Sequence, residues 1–101
     1  MPNKWSRTLG SLIFKQRVEH KLPLRKVAAA LDIDTSTLSK IEKGKSQADL
    51  SMIPIIAELF KLDFKKLQTS FLTEAIKESF ANEKYFKEAI NSIIKSTKEI
   101  E

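Results

Sequence analysis

Apolar residues recur along this chain at spacings of three and four rather than two, which predicts helices and no strands. The pattern is sharpest from Pro23 to Gly44, PLRKVAAALDIDTSTLSKIEKG. Leu24, Val27, Ala28 and Leu31 form the inward stripe of one short helix. Asp32-Ile33-Asp34 breaks it, and Leu38 and Ile41, three apart, set the inward face of a second. The opposite stripe of that second helix holds Ser36, Ser39, Lys40 and Lys43. Ala28 is small where the two helices must nearly touch, which lets them cross steeply. The outward stripe is short, polar and cationic, a surface suited to base edges in a major groove.

Four further helices are expected around this pair. Met1 to Arg7 reads as a short arm, followed by a helix from about Leu9 to His20 that Ser6 or Thr8 can cap. Pro23 starts the next helix, where its missing N–H costs nothing. Asp34 caps the outward-facing helix and Gly44 stops it in a left-handed turn. Asp49 is expected to cap a fourth helix, Leu50 to Phe60, in which Pro54 forces a kink or a displaced start. Asp63 caps a fifth, Phe64 to about Phe80, and Asn82 a sixth, with Ser96 to Glu101 fraying.

Composition narrows the class. One chain of 101 residues with 42% hydrophobic content folds as a modest core, and two glycines with three prolines argue against disorder. With no cysteine there is no disulfide framework and no thiolate chemistry. No apolar run approaches the roughly 18 residues of a membrane span, so a cytoplasmic location is the expectation. The net charge of +5 is uneven: residues 1–47 carry ten Lys/Arg against four Asp/Glu, residues 48–101 eight against nine. That asymmetry fits a polyanion-binding face on the first half, the alternative from charge alone being a solvated Lys-rich surface.

Catalysis finds little support. His20 is the only histidine and has no partner at triad or metal-ligand spacing. Gly10 and Gly44 cannot build a phosphate cradle, and Glu74, Glu78 and Glu88 read as solvated helix faces. No enzyme activity, cofactor or metal is expected. RNA binding lacks its usual aromatic platform on a sheet.

Residues 9–67 resemble the helix-turn-helix domain of the XRE family, the Cro and phage-repressor group. The resemblance rests on LGSLIFKQRVEHKL, VAAALDIDTSTLSKIEKGK and IIAELFKLDFKKL. It implies an all-α, five-helix repressor-like helix-turn-helix domain (1–68), to which the apolar pattern beyond it adds a C-terminal helix in an extension over 69–101. It also implies a recognition helix at Thr35 to Glu42, with Thr35, Ser36, Ser39 and Lys40 toward base edges. Arg25, Lys26, Thr37, Lys43, Lys45 and Gln47 are then the phosphate contacts. Where the family often has a phosphate-binding Gln, this chain has Leu24; where it often has Gly, it has Asp32. Arg17 and Glu42 match the positions of a partly buried structural ion pair in similar domains.

The C-terminal third carries more apolar residues than the first domain needs. They either fold back on it or form a dimer interface, with Phe71, Phe80, Tyr85, Phe86, Ile90, Ile93 and Ile94 as the expected interface residues. The reading is a sequence-specific DNA-binding transcriptional regulator, a repressor, acting as a homodimer on a pseudo-palindromic operator in double-stranded DNA. Small proteins of this kind serve phages, toxin–antitoxin operons and restriction–modification systems. The alternative is an antitoxin-like module whose C-terminal helices bind a partner protein, a toxin or another regulator.

Overall fold

A computed structural model describes residues 1–100, with side chains through Lys98. Six helices and no strand occur among them: α1 (Lys4–Glu19), α2 (Leu24–Ala30), α3 (Thr35–Glu42), α4 (Met52–Phe60), α5 (Phe64–Phe80) and α6 (Phe86–Ile100). The first five wrap one core. Leu9 and Ile13 of α1, Val27 and Ala28 of α2, Leu38 and Ile41 of α3, and Ile53, Ile56 and Phe60 of α4 are all buried there. The apolar residues expected to face inward in the helix pair do so.

Four of the five helices that build the core end in one kind of left-handed turn. After α1, Lys21 takes φ 54° and Leu22 N–H reaches back to the Arg17 carbonyl at 3.0 Å. After α2, Asp32 takes φ 56° and Ile33 N–H donates to Ala28. After α3, Gly44 takes φ 74° while Lys45 N–H donates to the Lys40 carbonyl at 2.8 Å. Lys61 repeats the turn after α4 with φ 56°. These pairs of back-reaching N–H groups satisfy carbonyls that a helix end leaves open.

Several helix starts differ from the sequence reading. The N-terminal arm is not an arm: α1 begins at Lys4, and neither Ser6 nor Thr8 caps it. Ser6 is buried, and its hydroxyl accepts the Ala48 N–H at 2.6 Å. The cap is remote, because the Glu78 carboxylate of α5 accepts Lys4 N–H at 2.8 Å and Trp5 N–H at 3.1 Å. Glu78 is therefore more than a solvated face residue. Pro23 is the N-cap of α2 rather than its first residue. The fourth helix starts at Met52, not Leu50, with Asp49 instead accepting from Ser51 N–H in the preceding turn. That displaced start puts Pro54 at the third helical position, where an N–H has no intrahelical partner to lose.

Asp63 caps α5 as expected, accepting from Lys66 N–H at 3.0 Å. The expected boundary between 68 and 69 falls inside this unbroken helix. Beyond it, Phe71 and Ala75 pack into the core. Phe71 is 8% exposed within its own chain, so it cannot serve as a dimer contact; its ring is already enclosed. The sixth helix starts at Phe86, and Asn82 lies in the turn before it instead of capping it. Ser96 to Ile100 continue that helix rather than fraying; Glu101 lies outside the described residues.

The α6 helix does not join the core. Its apolar stripe stays open, with Ile93 56% and Ile94 47% exposed, and Phe80 and Tyr85 open at the corner leading into it. Phe86 and Ile90 are half-buried. The extension therefore divides: the second half of α5 belongs to the body, and α6 stands apart from it.

Candidate nucleic-acid interface

Two anchors hold α3 outward. At its N-terminus, Asp34 has the extended backbone of a cap and accepts Thr37 N–H at 2.7 Å. The Ser36 hydroxyl also donates to Asp34 Oδ1, at 3.0 Å. The Thr37 backbone bond, helped by the side chains of Thr37 and Ser36, holds the Asp34 carboxyl below its ordinary value. At the other end, the Gly44 turn reverses the chain and carries Lys43 and Lys45 to either side of it.

Between these anchors, Leu38 and Ile41 are buried while Thr35, Ser36 and Lys40 are exposed. Ser39 is half-buried on the same outward stripe, and Thr37 is half-buried to one side. Of the expected phosphate contacts, Arg25, Lys26, Lys43, Lys45 and Gln47 are exposed. The Gln47 carbonyl oxygen is occupied, accepting Asn3 N–H at 2.9 Å, which leaves its NH₂ free to donate. Ser36 is constrained in the opposite sense. With its proton committed to Asp34, its oxygen has acceptor capacity left, which matches the amino groups of adenine or cytosine.

Arg17 and Glu42 form the expected pair. Arg17 Nε donates to one carboxylate oxygen at 2.7 Å and its terminal nitrogen to the other at 2.9 Å, the two-pronged geometry that favours Arg. A third bond goes to the Leu22 carbonyl at 3.2 Å, so the guanidinium ties α1 to the corner before α2 and to the end of α3. The hydrogen bonds to Glu42 raise the Arg17 pKa above its ordinary value. This pair holds the end of α3 against α1.

Beside the pair lies an apolar cleft lined by Phe14, Arg17, Leu24, Ser39, Glu42 and Lys43. Leu24 is half-buried there and offers packing where a glutamine would offer hydrogen bonds to phosphate. Phe14 stays half-exposed, with the Arg17 guanidinium 5.6 Å from its ring centre. His20 turns the other way, its ring 5.1 Å from that of Phe60, while Nδ1 lies 2.8 Å from the Gln16 carbonyl.

A packed helix pair with a buried side, a polar cationic side and an anchoring ion pair is now in place. The family model described as Helix-turn-helix matches residues 13–67, more than half of the chain. The chain belongs to the XRE-family helix-turn-helix proteins. No curated protein and no solved structure matches it. As an XRE-family protein it is a DNA-binding regulator, and the family's fold is not that of an enzyme. The match runs from the middle of α1 to the first turn of α5. The first turns of α1 and all of α6 lie outside it. Among the described residues, no helix is long and apolar enough to cross a membrane.

Proposed function

We propose that this XRE-family chain is a sequence-specific transcriptional repressor in the cytoplasm that binds a pseudo-palindromic operator as a homodimer. The observation that carries the reading is the outward stripe of α3, with Thr35, Ser36, Ser39 and Lys40 between a fixed cap and a cationic turn. Lys40 donates to guanine O6 and N7, and Ser36 accepts from an adjacent base. Arg25, Lys26, Thr37, Lys43, Lys45 and Gln47 hold the phosphates on either side and set the register. Repression is what occupancy alone achieves, because a protein seated across a promoter excludes polymerase.

The dimer reading rests on α6. Its apolar stripe, half-buried at Phe86 and Ile90 and open at Ile93 and Ile94, with Phe80 and Tyr85 exposed at the corner, is costly to leave in water. A two-fold dimer sets two recognition helices about 34 Å apart, one turn of duplex, and so calls for inverted half-sites. The same stripe also suits the second reading, an antitoxin-like module that captures a partner protein.

Footprinting on the duplex upstream of the chain's own gene tests the proposal. Two protected half-sites about one turn apart, lost as salt rises, are the expected result. A single unsymmetrical patch defeats the homodimer, and no protection even in dilute buffer defeats the regulator. A second polypeptide co-purifying at equal stoichiometry, with no self-association of the isolated chain, favours the antitoxin-like reading.

A further inference from the structure

The first two turns of α1 are built into the loop that follows the recognition helix. Ser6 is buried and its hydroxyl takes the Ala48 N–H. Asn3 N–H donates to the Gln47 side chain at 2.9 Å. The stem of Arg7 lies along Gly44, whose missing Cβ would sit 3.4 Å from Arg7 Cγ and Cδ. From the far side, Glu78 holds the N–H groups of Lys4 and Trp5. Three attachments fix this segment against the loop that carries Lys43 and Lys45, and Glu78 ties it to α5.

This placement has an electrostatic consequence. Arg7 is exposed and its stem lies next to Gly44, the residue that Lys43 and Lys45 flank in sequence. Its guanidinium donates to the Pro2 carbonyl, which uses one of five donors. Among the described residues the ion pairs are Arg17–Glu42 and Lys77–Glu74, so the Arg7 charge is not neutralised by a carboxylate in contact. Glu78 is the acid nearest the segment by its bonds, and it is engaged with backbone N–H groups at the start of α1.

We propose that Arg7 binds a backbone phosphate of duplex DNA, with Lys4 adding charge beside it. The contacted strand then extends outward from the α3–α4 loop to the first turns of α1. The proposal rests on the reading of α3 as the recognition helix. Arg offers a planar fork that grips two phosphate oxygens at once, and its stem is already ordered against Gly44. The contact carries no sequence information, so it strengthens every duplex alike.

The test uses the full chain and its Arg7→Gln and Arg7→Lys variants, titrated with operator and random duplexes over a range of salt. Arg7→Gln is expected to flatten the slope of log affinity against log salt by about 0.9, with equal loss on both duplexes. Its deficit against the unmutated chain then shrinks by about threefold between 50 and 200 mM salt. Arg7→Lys keeps the slope. Phosphate ethylation interference on the unmutated chain reads the same contact without any substitution, and one sensitive phosphate outside those touched by the α3–α4 loop is expected. An unchanged slope in a folded Arg7→Gln variant, or no outer sensitive phosphate, overturns the proposal while leaving α3 as the reader. An unmutated chain that ignores duplex DNA overturns both.

Discussion

Gly10 of α1 lies against the backbone carbonyl of Ile41 in α3, so closely that a Cβ at position 10 would overlap that oxygen. The same Cβ would stand 3.0 Å from the carbonyl carbon. Helix α3 is thus seated on α1 by backbone touching backbone. A flexible side chain could swing aside, but a helix carbonyl cannot. Gly10→Ala is therefore expected to destabilise by about 3 kcal/mol or more, at the upper end of overpacking changes. Urea unfolding checks this, and an unchanged midpoint would mean that α1 slides freely on α3.

That contact also marks the limit of what the sequence discloses. The helix pair was legible because its apolar residues repeat at helical spacing and because Asp34 and Gly44 bracket α3. Gly10 was not, since a mid-helix glycine reads as a weak helix former until its neighbour is known. The start of α1 was hidden for a similar reason. Its cap is Glu78, some seventy positions away, and no local pattern announces a cap from another helix. Lys21 and Lys61 in left-handed turns were equally unannounced, because lysine carries none of the turn preference of Gly or Asn. For the site, charge and stripe were legible, whereas the commitment of Ser36 to Asp34 and of Gln47 to Asn3 is purely tertiary detail.

Arg17 and Glu42 illustrate an interaction that the family resemblance anticipated and the geometry completes. Their side chains are 17% and 5% exposed, so removing either leaves the other charge largely shielded from water. Glu42→Ala is expected to cost about 3 kcal/mol, the lower end for a broken buried pair. Replacing both with apolar residues of similar size, Arg17→Met with Glu42→Leu, should recover most of that loss. Denaturant midpoints of Arg17→Met alone, Glu42→Leu alone and the double variant supply the cycle; a simple sum of the single losses would show the pair to be uncoupled.

Asp34 makes stability depend on pH in a known direction. Its folded pKa lies below the ordinary value of 3.8, chiefly because the ionised carboxylate accepts the Thr37 N–H. The stabilisation is therefore complete above the unfolded value and disappears as acid drives pH down through the folded value. Asn also accepts from a helix N-terminus but does not titrate in this range. Asp34→Asn should thus match the parent near neutrality and lose less stability from roughly pH 5 to 3. Parallel acid curves for the two chains would show that the cap charge plays no part.

On the proposed reading, Lys40 and Lys45 do the two separate jobs of the interface. Lys40 is exposed on the last turn of α3, whereas Lys45 follows the Gly44 turn; in that reading the first meets base edges and the second the strand backbone. Lys40→Ala should lower operator affinity more than random-duplex affinity, by about 1–3 kcal/mol of lost discrimination if it donates to one guanine. Lys45→Ala should weaken both duplexes to the same degree and reduce the salt slope by about one. The Gly44 turn makes the contrast clean, because the Lys45 N–H stays bonded to the Lys40 carbonyl whichever side chain is removed. Titrating both variants against both duplexes decides it: equal losses for operator and random DNA in Lys40→Ala would reduce that residue to another phosphate contact and shift base reading to Thr35, Ser36 and Ser39.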